Sequence, residues 1–331
     1  VVVGFDTETF HADVDAMRAA INENTILLAG SAPGYAQSVI DPIEEIAGLA
    51  QEHGLLCHVD GCVGGIHLSF MRKLGYDVPN FDFSVPGVTS VSADMHKFGY
   101  APKNASVIMY RDKELRKHQI FACTTTTTYV LINPTLLSTK SGAPMAGSWA
   151  ILNYLGEAGY TKMVRDVMDT TYKFVDAINA MDDLRVLGMP DMCLFSFTSE
   201  TINLFELAEE MHRRGWYVQP QLSTELSPYN LHVTVNPSSV PLADAFLDAL
   251  RASIETVKQN PSPVDIEAVR GQIAQMVEAM GADATDQLLA MGGISGNSLP
   301  DSMVMTNSVL ECLPADIREE MLINFVNELY Q

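Results

Sequence analysis

A short apolar run, Leu55-Leu-Cys-His-Val-Asp60, stops on a carboxylate and passes directly into the glycine-rich Gly61-Cys-Val-Gly-Gly65. A run this short, bounded by glycine, reads as a buried strand. Upstream of it, Asp41-Pro42 reads as a helix start, an N-cap acid followed by proline at the first helical position. Ile43, Ile46, Leu49 and Ala50 give that helix a buried stripe, and Gly54 ends it. Earlier still, Thr25 to Leu28 reads as a buried strand leading into Gly30-Ser-Ala-Pro-Gly34. Strand, helix and strand with short connections form a right-handed βαβ unit. That commits this part of the chain to a parallel sheet covered by helices.

Open parallel sheets place their ligand-binding groups beyond the carboxyl ends of the strands. Asp60 stands at one such end, and Thr89-Ser-Val-Ser-Ala-Asp-Met-His-Lys97-Phe-Gly-Tyr100 supplies a second. There a β-prone run, Val88 to Val91, ends in small polar residues and then delivers His96 and Lys97 before a glycine. Lysine avoids interiors unless it is paired or used. A partly desolvated ε-amine has a lowered pKa and forms a Schiff base with an aldehyde. The plain alternative is a solvated lysine on a connecting loop. The spacing of Asp60 and Lys97 leaves room for a crossover between neighbouring parallel strands. A carboxylate and a lysine at strand ends suit pyridoxal phosphate: the acid keeps the pyridine nitrogen protonated and the lysine holds the aldehyde carbon.

The runs His58-Val-Asp-Gly-Cys-Val-Gly-Gly65 and Asp82-Phe-Ser-Val-Pro-Gly-Val-Thr-Ser-Val-Ser-Ala-Asp-Met-His-Lys-Phe-Gly-Tyr-Ala-Pro-Lys103 closely resemble the group II pyridoxal-phosphate decarboxylase family. Within it they are most similar to the sphingosine-1-phosphate lyase branch. Gly30-Ser-Ala-Pro33, Val39-Ile-Asp-Pro-Ile43, Pro134-Thr-Leu136, Ser141-Gly142 and Arg213-Arg-Gly-Trp216 extend the similarity, which covers roughly residues 10 to 250.

The resemblance implies an α/β protein of fold type I, the pyridoxal-phosphate-dependent transferase-like fold. Its large αβα domain has a mainly parallel sheet and is followed by a small α+β C-terminal domain. By the same resemblance Lys97, Asp60, Cys62, His96, Ser141 and Gly142 surround the cofactor, with Lys97, Asp60 and His96 in catalytic roles. His96 would assist proton transfer or contact the cofactor phosphate; plain packing is its alternative. Lys103 would meet a substrate phosphate, against the plain reading of a solvated turn lysine. Ser138-Thr-Lys-Ser-Gly142 resembles the turn that reaches the neighbouring subunit's site in a homodimer. Lys140 there is a candidate substrate contact where relatives often carry arginine, exchanging a fork donor for a point charge.

The implied activity is a carbon–carbon lyase, a retro-aldol cleavage of a phosphorylated long-chain β-hydroxy amine. An amino-acid decarboxylase is the alternative, and a non-catalytic paralogue serving as a scaffold is a third reading. Five consecutive threonines, Thr124 to Thr128, stand where relatives carry aromatic and glycine residues, which bears on substrate identity. The chain opens on Val1-Val-Val-Gly4 without methionine. This reads as the interior of a longer protein, whose upstream part would carry the family's Gly-Gly-Thr phosphate loop and ring-stacking histidine.

A formal net charge of −21 argues against nucleic acid, whose phosphates need a basic surface. It argues equally against anionic membrane surfaces. Any anionic ligand must therefore be met by a locally positive pocket. The cysteines at 57, 62, 123, 193 and 312 form no CxxC pair, and no run approaches a membrane span or reads as a signal peptide. A reducing cytoplasm is the expected location. His58 and His67 read as structural, since an HxD pair without further ligands makes a poor metal site.

Along the chain, Asp13 to Asn22 reads as a helix with Val14, Met17, Arg18 and Ile21 giving one apolar side, and Ser106 to Tyr110 as a strand. Pro144 to Leu155 and Tyr160 to Met181 read as two helices parted by Gly156-Glu-Ala-Gly159. Strands follow at Leu184 to Leu187, Cys193 to Phe197 and Leu231 to Val235, alternating with helices at Asn203 to Arg214 and Leu242 to Lys258. After the linker Asn260-Pro-Ser-Pro263, Val264 to Met280 and Pro314 to Tyr330 read as helices flanking Gly292 to Gly296. The expected organisation is part of a cofactor-binding domain over 1–155, a small α+β domain over 156–259 and a helical extension over 260–331.

Overall fold

The computed structural model describes residues 1–125, 127, 129–137, 139–261, 264–280, 285–294 and 300–328. The chain divides into two compact units. The first comprises residues 1–172, 188–195 and 235–240, and the second 173–187, 196–234 and 241–331.

The first unit is built on α1 (Val14–Ala20), β1 (Leu27–Ser31), α2 (Ile43–Glu52), β2 (Leu56–Asp60), α3 (Gly64–Lys73), β3 (Ser90–Asp94) and β4 (Ser106–Tyr110). The short α4 (Lys113–Arg116) follows, then the antiparallel pair β5 (Phe121–Cys123) and β6 (Leu131–Asn133), and α5 (Ala143–Asn179) begins here. The main sheet runs β1-β2-β3-β4, with β1, β2 and β3 parallel and β4 antiparallel to β3. Facing residues in a ladder share one side of the sheet. Leu28, Cys57, Val59, Val91 and Ala93 are buried on one side, where α2 and α3 pack. The approach is close enough to require Gly30: a Cβ there would lie 2.8 Å from Cδ1 of both Ile43 and Ile46.

The predicted βαβ unit is present, with three local differences. Asp41 does not cap α2. Its carboxylate accepts hydrogen bonds from the amides of Ser31 at 2.7 Å and Ala12 at 3.0 Å, and Pro42 holds the cap position without a side-chain bond. Two extended segments offer it tertiary donors, and these win over the local cap. The strand expected at Thr25 to Leu28 lies later, at Leu27–Ser31. Ser92 and Asp94, expected to end the third strand, belong to it, because β4 pairs Ser92 with Ile108 and Asp94 with Ser106.

The two helices expected at Pro144 to Leu155 and Tyr160 to Met181 are both present within α5, parted by a kink where Gly156 takes the non-helical φ 57° and ψ −174°. The second unit is built around the sheet β7 (Arg185–Val186), β8 (Leu194–Thr198), β9 (Gln219–Gln221) and β10 (Asn230–Thr234), in the order β7-β8-β10-β9. Its helices are α6 (Leu204–Arg213) and α7 (Ala243–Gln259). Strand β9 escapes sequence reading because Gln-Pro-Gln has no apolar pattern; it stands at the sheet edge, where proline is tolerated.

Beyond α7 lie α8 (Ile266–Met280), α9 (Thr285–Met291), α10 (Val304–Cys312) and α11 (Ala315–Glu328), around Ile273, Leu288, Val309 and Met321. The unexpected α10 hides its helical period behind buried polar residues. Thr306 and Ser308 return their hydroxyls to the carbonyls of Gly292 and Val304. Part of the predicted Gly292 to Gly296 stretch, like Ser262, Pro263 and Tyr330, lies outside the described residues. Among the described residues no helix is long and apolar enough to cross a membrane.

Candidate functional site

The parallel ladder sets Asp60, the last residue of β2, opposite Ser92 on β3. Asp60 Oδ1 accepts from the Cys62 amide at 3.0 Å and from the Ser92 hydroxyl at 3.2 Å. Burial by itself would raise the Asp60 pKa. Hydrogen bonds from the thiol and amide of Cys62 and from Ser92 outweigh it and hold the carboxyl below its usual range. The group is therefore an anion at neutral pH.

The turn after β3 brings Lys97 to the same place. Its Nζ donates to Cys62 Sγ at 3.1 Å and lies 3.0 Å from Asp94 Oδ2. Asp60, Cys62 and Lys97 are thus consecutive members of one bonded chain. The turn is tight: a Cβ on Gly99 would stand 2.6 Å from the Met95 carbonyl oxygen. From α5, the buried Tyr160 hydroxyl donates to the Gly99 carbonyl at 2.7 Å and anchors the turn.

One sequence expectation is reversed. The Lys97 amine was expected to have a lowered pKa through desolvation. Burial does act in that direction, but the hydrogen bonds to Asp94 and Cys62 prevail and raise it above the ordinary lysine value. The Cys62 thiol is also raised, by burial and by Asp60, against the opposing pull of Lys97, so it remains a neutral thiol.

His96 joins the cluster at one remove. Its Nδ1 donates to the Ala105 carbonyl at 2.8 Å, and its Nε2 lies 3.7 Å from Asp94 Oδ2. Ser141 and Gly142 are exposed at the start of α5, where the Ser141 hydroxyl accepts the Ala143 amide at 3.3 Å. Lys103 and Lys140 are exposed and make no ion pair among the described residues. The fold therefore gathers Asp60, Cys62, Lys97 and His96, and leaves the other four outside their bonded network. Of the threonine run after β5, Thr126 and Thr128 lie outside the described residues, as does Ser138.

Sequence reasoning passed over Ser92, Asp94 and Ser106. A signal was available, since Ser90, Ser92 and Asp94 alternate with apolar Val91 and Ala93 in the period of a half-buried strand. His58 Nδ1 is 2.8 Å from the Ser90 hydroxyl, while His67 is buried edge-on to Phe98. Among the described residues no cluster of His, Cys, Asp and Glu could hold a metal.

The donor set fits pyridoxal phosphate: a primary amine and a carboxylate kept anionic face one partly buried cluster, joined through a neutral thiol. Lys97 could hold the aldehyde carbon and Asp60 the pyridine nitrogen.

Comparison with known proteins agrees. The pyridoxal-dependent decarboxylase conserved domain matches residues 11–200, and the C-terminal putative HTH domain of pyridoxal-dependent enzymes matches residues 267–328. A sphingosine-1-phosphate lyase of Arabidopsis thaliana is 43% identical over 255 residues, 77% of this chain and 46% of that protein. A probable L-aspartate decarboxylase of Pyrococcus abyssi is 32% identical over 231 residues, 69% of this chain and 59% of that protein. The solved sphingosine-1-phosphate lyase of Burkholderia pseudomallei superposes with a TM-score of 0.74 at 36% identity, covering 84% of this chain and 61% of that one. The chain thus spans about half the length of the lyase from Arabidopsis. With that family domain matched over residues 11–200, more than half of its length, the chain belongs to the pyridoxal-dependent decarboxylase family.

Proposed function

We propose that this protein, in its complete form, is a pyridoxal-phosphate-dependent carbon–carbon lyase. It cleaves the Cα–Cβ bond of a phosphorylated long-chain β-hydroxy amine, releasing a fatty aldehyde and phosphoethanolamine. The observation that carries the reading is the bonded chain Asp60–Cys62–Lys97 at the strand ends. Similarity to sphingosine-1-phosphate lyases at 43% and 36% identity supports the substrate class.

Bound pyridoxal phosphate supplies a carbonyl for the substrate amine and a ring that accepts the electron pair left at Cα. In this reading Asp60, held anionic by Cys62 and Ser92, keeps a proton on the pyridine nitrogen. Lys97 would hold the cofactor's aldehyde carbon, and His96, tethered to the Ala105 carbonyl, would help move protons near Lys97. Cys62 lines the cofactor and spaces Lys97 from Asp60. Lys103 and Lys140, solvated here, would meet the substrate phosphate, with Ser141 and Gly142 contributing across the interface of a homodimer. A cytoplasmic setting belongs to the same proposal, supported by five free cysteines.

The second reading, an amino-acid decarboxylase breaking Cα–carboxylate, is favoured by the similarity to the archaeal decarboxylase. Incubating the full-length protein with sphingosine 1-phosphate and, separately, with common amino acids decides between them. Fatty aldehyde is the expected product; carbon dioxide without aldehyde reverses the assignment. A purified full-length protein lacking the visible absorbance of lysine-bound cofactor would instead favour the scaffold reading.

A further inference from the structure

Among the described residues the ammonium of Lys97 has two polar contacts, and only one of them can carry the compensating charge. Cys62 offers a neutral thiol at 3.1 Å, while Asp94 offers a carboxylate at 3.0 Å. The Asp94 side chain is only 15% exposed and the Lys97 side chain 35%. The carboxylate is also fixed from its far side. Asp94 and Ser106 face each other in the antiparallel β3–β4 ladder, and the Ser106 hydroxyl donates to Asp94 Oδ1 at 2.6 Å. A residue locked by a ladder and a hydroxyl cannot swing away from the lysine cheaply.

We infer that Asp94 is a positioning residue: pinned by Ser106, its carboxylate holds the amine of Lys97 as an ammonium against Cys62. The inference rests on the reading of Lys97 as the lysine that takes the cofactor's aldehyde, and adds what governs that lysine when it is free. Only an uncharged amine attacks a carbonyl carbon, so the group that stabilises the ammonium sets the pH at which Lys97 can react. The charged and titratable groups around the pair are Asp94 and His96 from β3 and its turn, and Cys62 with Asp60 beyond it from the end of β2. His96 Nε2, 3.7 Å from Asp94, adds a weaker claim on the same carboxylate. The raised pKa of Lys97 agrees with this geometry.

The test reads the amine directly. The full-length protein, freed of pyridoxal phosphate, is pulsed with acetic anhydride across a pH series, and acetylation of Lys97 is followed by peptide mass spectrometry against a free lysine peptide. In the wild type the Lys97 midpoint should lie above that of the peptide. Asp94→Asn should lower it and increase Lys97 acetylation about tenfold at a fixed pH below the midpoint. Ser106→Ala should shift the profile the same way by less, and Asp94→Glu should restore most of the wild-type profile.

A wild-type midpoint at or below the peptide, or an Asp94→Asn profile unchanged from wild type, overturns the inference. Should Asp94→Asn fail to fold, the wild-type and Ser106→Ala profiles decide the matter. Borohydride reduction of the cofactor-loaded protein is the separate control. Failure to find cofactor on Lys97 would overturn the cofactor reading and leave the acetylation result to stand on its own.

Discussion

On one face of the β1–β4 sheet, Cys57, Val59, Val91 and Ala93 are sealed beneath helices, none more than 3% exposed. On the other face, one residue along each strand, His58, Asp60, Ser92 and Asp94 are only half-buried and hydrogen-bond one another or their neighbours. The same ladder serves both, because successive side chains alternate sides. The contrast separates stability from chemistry. Apolar burial on one face holds the strands in register, so the other face can keep two carboxylates and a lysine near each other, an arrangement costly to build without such support.

The sharpest way to break this comparison is on the polar face. Lys97→Ala should abolish the visible cofactor band and reduce turnover of the full-length protein by roughly a thousandfold or more, since it removes the covalent attachment. Its urea midpoint should move only slightly, because the lost ion pair is partly exposed and worth on the order of 1 kcal/mol. A large loss of stability would show that the two faces are not independent. Asp60→Asn, read in the same assay, should cost about a hundredfold or more in kcat.

The mirror experiment is Ile46→Ala on α2. Ile46 is fully buried against β1, and its truncation should cost about 2–5 kcal/mol in urea unfolding. The Lys97 absorbance band should survive under conditions where the variant is still folded.

The smallest effect comes from His67, where burial and polarity collide. Among the described residues neither ring nitrogen has a hydrogen-bond partner, and burial lowers its pKa to about 3. His67→Leu should therefore stabilise the protein by about 1–3 kcal/mol at neutral pH. The sign with pH follows from linkage. The folded imidazole stays neutral while the unfolded one protonates below its ordinary value of 6.5. Stability is lost as pH falls from there toward 3, by up to about 1.4 kcal/mol per unit. The Leu variant should show a shallower acid slope in unfolding midpoints measured between pH 7 and 4; an unchanged slope would mean that His67 finds a partner.

Much of this architecture follows from local pattern. The run ending at Asp60 and the amphipathic helices Asn203 to Arg214 and Leu242 to Lys258 have apolar patterns strong enough to survive packing, and Ser106 to Tyr110 is legible as a β-prone run. Elements without such a period were invisible: β9 is Gln-Pro-Gln, and α10 buries Thr306, Ser308 and Glu311. Asp41 shows the converse, since an acid before a proline reads as a cap until amides from elsewhere claim it.

Residue chemistry and spacing were enough to place an amine and a carboxylate at neighbouring strand ends, because strand length and glycine turns are short-range properties. They could not say what surrounds the amine. Asp94 lies three residues before Lys97 and pairs with it inside one turn, but its carboxylate is pinned from the far side only where β4 folds back antiparallel and Ser106 meets it across the ladder. Tertiary pairing therefore adds Cys62 and the Ser106 anchor to a local partner, and together they reverse the direction that burial alone suggests for Lys97.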